Sequence, residues 1–331
     1  MKLASLKTAH PDGKLAIVSK DNRYYVDASD IAANMQYALE NWCGCAALLA
    51  ERYSRLNQAL VNERLPFNPQ LFHAPLPRAW QWLDGSLFLN HGVLMQQAFH
   101  LDPIEDADRI PLVYQGAGDH FLAAGDDIEV ADLKHGIDFE GEFGVIVDSI
   151  SMGSSAEYAL SRIRLVVLLN DISYRALGPR EMKTGFGFVQ AKGATAFAPV
   201  ALTPDELGDS WKNGRVCLPM QIKRNGELFG QPHGREMHFG FHHLIAHVAQ
   251  TRPIKAGTVF GSGTVSNADP AVGQACISEL RAKEMIQHGS PQTPFMQQDE
   301  VVSINVLNAD GQSMFGSIEQ RVTVHKNSEE Q

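Results

Sequence analysis

The sequence is poor in cysteine and has no long apolar stretch. Its 331 residues include four cysteines, Cys43, Cys45, Cys217 and Cys276, which are too few and too scattered for a disulfide framework. No apolar run reaches the roughly 18 residues that a membrane-spanning helix needs. Residues 1–14 also lack the apolar stretch of about 7–15 residues that marks a secretory signal. These features predict a cytoplasmic protein without membrane contact.

Positive charge is scarce as well. There are 28 lysines and arginines against 38 acidic residues, and the formal net charge is −10. Because no basic block could neutralise a run of phosphates, nucleic acid is not an expected partner. An acidic chain that handles an anionic substrate must concentrate its few cations, or a metal ion, at the binding site.

The composition is that of an ordinary globular protein, with 44% hydrophobic and 20% charged residues. Residues 14–26 predict a β-hairpin. Residues 31–62 carry a helical apolar pattern, with Asp30 as N-cap and a break near Gly44. Residues 65–78 have no regular spacing of apolar residues and predict an extended linker. We therefore expect a small α/β N-terminal domain that ends near residue 78.

The pattern after residue 78 is mainly one of strands separated by turns. Examples are DDIEV, FEGEFGVIV, RLVVLLN, FAPVALT and CLPMQIKRNGELF, while helical patterns are confined to about 154–163 and 238–251. This mixture predicts an α+β protein with a β-rich catalytic domain over residues 79–325, not a doubly wound sheet. Residues 326–331 are predicted to be a frayed tail.

Three acidic residues in two of these strands suggest a metal site. In a strand, Glu140 and Glu142 would share one face, and adjacent carboxylates repel each other unless they are solvated or share a cation. Asp171 follows the apolar strand RLVVLLN, where a buried acid is costly unless it is paired or bound to metal. Three oxygen ligands suit Mg²⁺, Ca²⁺ or Mn²⁺. A solvated strand face is the alternative for the two glutamates.

Two histidine pairs have a spacing that also occurs in zinc sites. His238 and His242, and likewise His243 and His247, are four residues apart in the helical segment 238–251. Neither pair has the adjacent glutamate of the zinc-protease arrangement. We interpret these histidines as structural.

Four segments together resemble the fumarylacetoacetate hydrolase family. FEGEFGVIV resembles the family's E-x-E strand, LLNDISYR its N-D-x-S-x-R stretch, QAKGAT its lysine motif and GSGTVSN its glycine–threonine motif, in the family's order. The resemblance spans residues 79–325, and residues 1–78 resemble the small N-terminal domain of a bacterial branch. It implies a fumarylacetoacetase-like β-roll, a small anionic diketo-acid substrate and a homodimer.

The resemblance also implies roles for individual residues. Metal ligands fall on Glu140, Glu142, Asp171 and, by its spacing of seven residues from the catalytic histidine, Asp84. The catalytic residues fall on His91 as base, Glu279 as the acid that orients it, and Lys192. Substrate contacts fall on Tyr114, Thr264 and Arg175. The family arginine that pairs with the substrate carboxylate is replaced near His100. Residues 176–183 contain no clear match for two further family residues. The identity of the acyl substrate therefore stays open.

The reaction implied first is hydrolysis of fumarylacetoacetate to fumarate and acetoacetate, the last step of tyrosine breakdown. Rival interpretations are hydrolysis of an acylpyruvate such as fumarylpyruvate, or isomerisation or decarboxylation of a related 2-oxo acid. A hydrolase needs the pair of His91 and Glu279 to activate water, whereas an isomerase needs only a proton shuttle. A metal-dependent binding protein without turnover would lack the base.

Overall fold

Two large β-sheets form the centre of the computed structural model, which describes residues 1–325. The strands are β1 Lys2–Leu6, β2 Lys14–Val18, β3 Tyr24–Asp27, β4 Leu65–Pro66, β5 Trp82–Gly85, β6 Val113–Gly116, β7 Ile128–Val130, β8 Ile137–Asp138, β9 Gly141–Val147, β10 Ile163–Asn170, β11 Ser173–Tyr174, β12 Ala196–Phe197, β13 Ala201–Leu202, β14 Trp211–Lys212, β15 Arg215–Val216, β16 Gln221–Arg224, β17 Glu227–Gly230, β18 Val259–Gly261, β19 Val301–Asn305 and β20 Ile318–Val324. The helices are α1 Met35–Glu40, α2 Trp42–Asn57, α3 Leu89–Phe99, α4 Ala156–Ser161, α5 Gly178–Thr184, α6 Phe241–Ala249 and α7 Ile277–His288.

The larger sheet joins the N-terminal segment to the rest of the chain. Its order is β4-β3-β2-β1-β13-β10-β9-β18-β5-β6, with β12 beside β10. The junction is the antiparallel pair of β1 and β13, in which Lys2 lies opposite Leu202. Residues 1–78 therefore extend the sheet of the following segment and do not form a separate layer.

The smaller sheet packs against the same central strands. It has the order β17-β16-β19-β20-β7. Side chains alternate along β9, as expected for a strand buried on both faces. Phe143 and Val145 belong to the core that includes Ile304 and Ile318 of the smaller sheet. Ile146 belongs to the second core, which the N-terminal segment completes.

The predicted helix over residues 31–62 is two helices, α1 and α2, which meet at Asn41. The prediction of Asp30 as N-cap is wrong: Asn34 accepts a hydrogen bond from the Tyr37 amide, while Asp30 is paired with Arg52. The break at Gly44 is also wrong, because Asn41 already provides the non-helical turn and α2 continues through the glycine.

Three helices were not expected from the sequence pattern, namely α3, α5 and α7. Two of them carry predicted site residues, His91 on α3 and Glu279 on α7. No helix among residues 1–325 is long and apolar enough to cross a membrane. The predicted tail, residues 326–331, lies outside the described residues.

Candidate active site

Three buried carboxylates converge from neighbouring parts of the larger sheet. Asp84 lies on β5, Glu142 on β9, and Asp171 directly after β10. Each offers an oxygen within 4.8 Å of the others, and all three side chains are buried. The sheet order explains this convergence, since only β18 separates β5 from β9.

Gly261 on β18 allows the carboxylates to meet across that strand. It pairs with Asp84 on one side and with Gly144 on the other. A Cβ atom at Gly261 would lie 2.3 Å from Oδ1 of Asp84 and 3.0 Å from Oε2 of Glu142. Glycine is therefore required here by the close approach of the two acids.

The backbone amide of Gly263 donates to both Asp84 Oδ1, at 3.1 Å, and Glu142 Oε2, at 3.0 Å. The other oxygen of Glu142, Oε1, is buried without a hydrogen-bond partner. Burial and the charge of Asp171 raise the pKa of Asp84 well above its ordinary value. Burial and the charges of Asp84 and Asp171 do the same to Glu142.

Glu140 has a different environment, although it precedes Glu142 by only two residues. Its Oε1 accepts hydrogen bonds from Lys192 Nζ and Ser173 Oγ, both at 2.7 Å, and lies 3.0 Å from Arg175 Nη2. The Thr264 hydroxyl donates to Oε2. Burial alone would raise the pKa of Glu140, but the cations Lys192 and Arg175 outweigh it and hold that pKa well below its usual range.

Lys192 connects Glu140 to the carboxylate cluster. Its ammonium donates to Asp171 Oδ2 at 2.6 Å, in addition to its bond with Glu140. The Tyr114 hydroxyl donates to the same oxygen at 2.6 Å, and Thr195 Oγ1 donates to Oδ1 at 3.0 Å. Burial would lower the pKa of Lys192, but Asp171 and Glu140 reverse this effect and raise it. The lysine therefore stays charged at neutral pH.

His91 and Glu279, the predicted base and the acid predicted to orient it, lie side by side as a separate group. Nδ1 of His91 lies 2.9 Å from Oε1 of Glu279, and the glutamate is buried while the histidine is partly exposed. Their helices, α3 and α7, pack against each other. Because an ionised carboxylate only accepts hydrogen bonds, the pair places the imidazole proton on Nδ1 and leaves Nε2 able to accept one.

The carboxylate cluster fits a divalent cation. It offers several hard oxygen donors, one of which, Glu142 Oε1, has no partner within the protein. Carboxylates that face one another in a buried site repel unless they are protonated or share a cation. Oxygen-only donors favour Mg²⁺, Ca²⁺ or Mn²⁺ over zinc.

The structure brings together the residues predicted from the sequence, in two groups. The carboxylate cluster contains three of the four predicted ligands, including Asp84. Glu140 is not part of that triplet, so its role as a ligand stays a prediction. Arg175 bridges Glu140 and Asp138, with its Nε 2.9 Å from Asp138 Oδ2, and its contact with substrate stays a prediction.

Sequence reasoning missed three polar residues of this site: Asp138, Ser173 and Thr195. The sequence carries a signal for Asp138, because it lies two residues before Glu140 and a strand would place it on the same face as Glu140 and Glu142. Ser173 stands in the same relation to Asp171. Thr195 is the last residue of QAKGAT, so the motif that identified Lys192 also contained it, as LLNDISYR contained Ser173.

The four histidines of segment 238–251 do not join this site. None belongs to a group of three converging metal-type side chains within the described residues. His238 Nε2 lies 2.8 Å from the backbone oxygen of Asp108. Burial and the neighbouring His243 lower the pKa of His242 to about 4, so this imidazole is neutral at pH 7.

Family-level comparison identifies the protein class. The family described as "Fumarylacetoacetate (FAA) hydrolase C-terminal" matches residues 82–323, and "Fumarylacetoacetase N-terminal domain 2" matches residues 1–78. The chain belongs to the fumarylacetoacetate hydrolase family. The resemblance inferred from the four motifs is thereby confirmed, as is the α+β class with a small N-terminal unit.

Individual relatives are distant and differ in activity. A 2,4-didehydro-3-deoxy-L-rhamnonate hydrolase from Sphingomonas sp. (strain SKA58) is 28% identical over 168 residues, 50% of this chain and 54% of that protein. The match thus spans about half of that relative's length. The mitochondrial oxaloacetate tautomerase FAHD1 of Bos taurus is 24% identical over 59% of this chain and 86% of its own.

A solved structure of similar fold covers almost the whole chain. Maleylpyruvate hydrolase from Sphingobium sp. SYK-6, in complex with manganese (II) ion and pyruvate, aligns with a TM-score of 0.66 over 98% of this chain and 100% of its own, at 15% identity. This likeness shows the shared fold. The family therefore contains hydrolases and tautomerases, and the site itself must decide between these activities.

Proposed function

We propose that the protein is a divalent-metal-dependent hydrolase that cleaves a carbon–carbon bond in a small β-diketo acid. The observation that carries this proposal is the His91–Glu279 pair, whose Nδ1 and Oε1 atoms lie 2.9 Å apart. Helix α3, which carries His91, follows β5 and Asp84 in the chain, and the start of α7, which carries Glu279, is hydrogen-bonded to Asp138, two residues before Glu140. Activation of water requires such a pair, whereas a tautomerase requires only a group that moves a proton.

Asp84, Glu142 and Asp171 would hold the metal ion, with Glu140 as a fourth candidate. When bound, the ion would act as a Lewis acid for the negative charge that develops on the oxygens of the departing fragment. Mn²⁺ is a natural first choice for experiments, since a structural relative is a manganese complex; Mg²⁺ and Ca²⁺ suit the same oxygen donors.

His91 would act as the general base in the hydrolytic step. Its Nε2 takes a proton from water as the water oxygen adds to one carbonyl of the substrate. Glu279 accepts the Nδ1–H bond, holds the required tautomer and stabilises the imidazolium that forms. When the carbon–carbon bond breaks, one fragment leaves as a carboxylic acid and the other takes up a proton to become a ketone.

Lys192 supplies a fixed positive charge beside the reacting atoms. Its raised pKa keeps the ammonium charged, so it can stabilise an oxyanion or a substrate carboxylate. Loss of one such donor typically raises the barrier by ~3 kcal/mol. The Tyr114 hydroxyl donates to Asp171 of the cluster, and the Thr264 hydroxyl donates to Glu140 beside it. Together these groups favour a small anionic substrate.

A substrate panel tests the proposal. Purified protein with Mn²⁺ or Mg²⁺ would be offered fumarylacetoacetate and fumarylpyruvate, and loss of the diketone absorbance would be followed. We expect metal-dependent turnover of at least one, with fumarylacetoacetate as the first candidate. No turnover of either compound, with or without metal, would contradict the hydrolase proposal.

Tautomerisation is the second candidate, because a relative at 24% identity carries that activity. Enolic and keto oxaloacetate interconvert without bond cleavage, so the two activities separate in one assay series. Replacement of Glu279 by Gln should lower the rate of hydrolysis by about 10²- to 10⁴-fold, to a residual rate that can still be measured, if water activation is needed. The second candidate would be favoured by two results together: the protein cleaves no diketone, and the Glu279→Gln variant still tautomerises oxaloacetate.

A further inference from the structure

Asp138 lies at the junction between the metal-site strands and the helix that carries Glu279. Its side chain is completely buried, and it occupies β8, two residues before Glu140. A buried carboxylate is tolerated only when its lone pairs are well satisfied. Asp138 has three donors within hydrogen-bond distance, and they come from two different parts of the site.

The first part is helix α7. Oδ1 of Asp138 accepts the backbone N–H of Ile277 at 2.7 Å, and Oδ2 accepts that of Ser278 at 2.9 Å. These are the first two residues of α7, whose own N-cap, Cys276, provides no side-chain hydrogen bond. A remote carboxylate thus caps the helix and also complements its dipole. Glu279 is the next residue of the same helical turn.

The second part is Arg175. Its Nε donates to Asp138 Oδ2 at 2.9 Å, while its Nη2 lies 3.0 Å from Glu140 Oε1. One carboxylate therefore holds both the start of α7 and the guanidinium that contacts Glu140. Ser173, which donates to Glu140, is paired in register with Asp138 as well.

We infer that Asp138 is a positioning residue that sets the place of Glu279, and hence of His91, relative to the carboxylate cluster. This inference rests on the proposed function, because it assigns a purpose to the His91–Glu279 pair. The contact of that pair spans two helices and 188 residues of sequence. Displacement of a positioned group by about 1 Å can reduce a rate roughly 100-fold.

The first test is the Asp138→Asn variant, which keeps the shape of the side chain and one acceptor oxygen. It loses the charge and one of the two oxygens that the three donors share. We expect kcat to fall by about 10- to 100-fold, while KM and Mn²⁺ affinity change by less than about twofold. The matched control is Asn34→Ala, which removes the cap of α1 far from the site and should lower stability without this loss of kcat.

A double-mutant cycle separates positioning from a general structural role. If Asp138 acts through Glu279, adding Asp138→Asn to Glu279→Gln should reduce kcat little further than Glu279→Gln alone. Full additivity of the two losses would overturn the inference. So would an Asp138→Asn variant that folds and retains kcat within about twofold of the parent protein.

Two spectroscopic readouts do not depend on turnover, so they remain decisive if the proposed reaction is wrong. In the metal-free protein, the ¹⁵N signals of the His91 ring should report a hydrogen-bonded Nδ1–H, and Asp138→Asn should weaken or remove it. An unchanged His91 signal would overturn the inference. If the variant does not fold, hydrogen exchange in the unaltered protein decides: the Ile277 and Ser278 amides should be protected, and fast exchange would refute the cap.

Discussion

The charge of the carboxylate cluster predicts that metal binding depends steeply on pH. Burial and mutual repulsion raise the pKa of Asp84 and Glu142 well above their ordinary values of 3.8 and 4.5. A metal ion binds the ionised forms, so protons that these groups hold in the metal-free protein must leave on binding. The apparent metal affinity should therefore rise with pH and continue to rise above the ordinary carboxyl range.

The structure limits the size of this effect, because two carboxyls of the cluster have raised pKa values. Each proton released makes the association constant about tenfold larger per pH unit, which corresponds to about 1.4 kcal/mol. One proton gives a tenfold rise per pH unit and two give a hundredfold rise. The rise ends where the pH exceeds the raised pKa values of the folded protein.

The same shifts fix the sign of the effect on stability. A carboxyl whose pKa is raised by folding stabilises the fold at pH values below its unfolded pKa, and this contribution is lost as the pH rises through the folded pKa. At Asp84 and Glu142 a bound cation would offset that loss. The increase in melting temperature on adding Mn²⁺ should thus grow from acidic to neutral pH.

Calorimetric titration with Mn²⁺ between about pH 5 and about pH 8, in buffers of different ionisation enthalpy, counts the protons released. Asp84→Asn should bind more weakly and release fewer protons. The matched control is Asp132→Asn at an exposed cap, which should leave both quantities unchanged. A metal affinity that does not vary with pH, with no proton release, would refute the electrostatic argument.

Three further predictions concern single substitutions. Asp171→Asn should lower metal affinity and turnover together, by at least about tenfold, and normal activity at low metal concentration would remove this residue from the site. His91→Asn should lower kcat by about 10²- to 10⁴-fold while calorimetry shows unchanged Mn²⁺ affinity; a parallel loss of affinity would contradict its assignment as base. Gly261→Ala should cost about 1–3 kcal/mol of unfolding free energy and weaken metal binding, because its Cβ would collide with Asp84. Gly44→Ala, where an added Cβ meets no atom within 4 Å, is its control in denaturant unfolding, and equal losses in both would refute the steric argument.

The sequence predicts the β-rich architecture well, because strand alternation and turn residues are local signals. It predicts the three missed helices poorly, for a physical reason that α7 illustrates. The buried residues of α7 include Glu279 along with Ile277 and Ala282, so an acid occupies a position where the helical pattern calls for an apolar residue. The proposed catalytic use of that position would explain the loss of the periodicity by which the helix would be recognised.

Asp84 shows how a predicted ligand with little local signal comes to lie beside the other carboxylates. Its sequence evidence was a spacing to His91, and the intervening residues do not match the family pattern. In the structure, the parallel pairing of β5 with β18 and the antiparallel pairing of β18 with β9 align it, through Gly261, with Gly144, two residues along β9 from Glu142. Such pairings join residues far apart in the chain, and no single segment encodes them. Gly261, which lies between the two strands on β18, has no side chain that would prevent the approach of Asp84 to Glu142.

Glu140 and Glu142 show the limit of strand alternation as a guide to chemistry. Alternation predicts that they share one face, and it treats them as equivalent. Their long-range partners make them opposites: Lys192 and Arg175 hold the pKa of Glu140 down, while burial and the facing Asp84 and Asp171 raise that of Glu142. The protonation state that each carboxylate prefers depends on the charges that the fold brings near it. The alternating pattern therefore locates the site, and the tertiary structure determines the role of each residue within it.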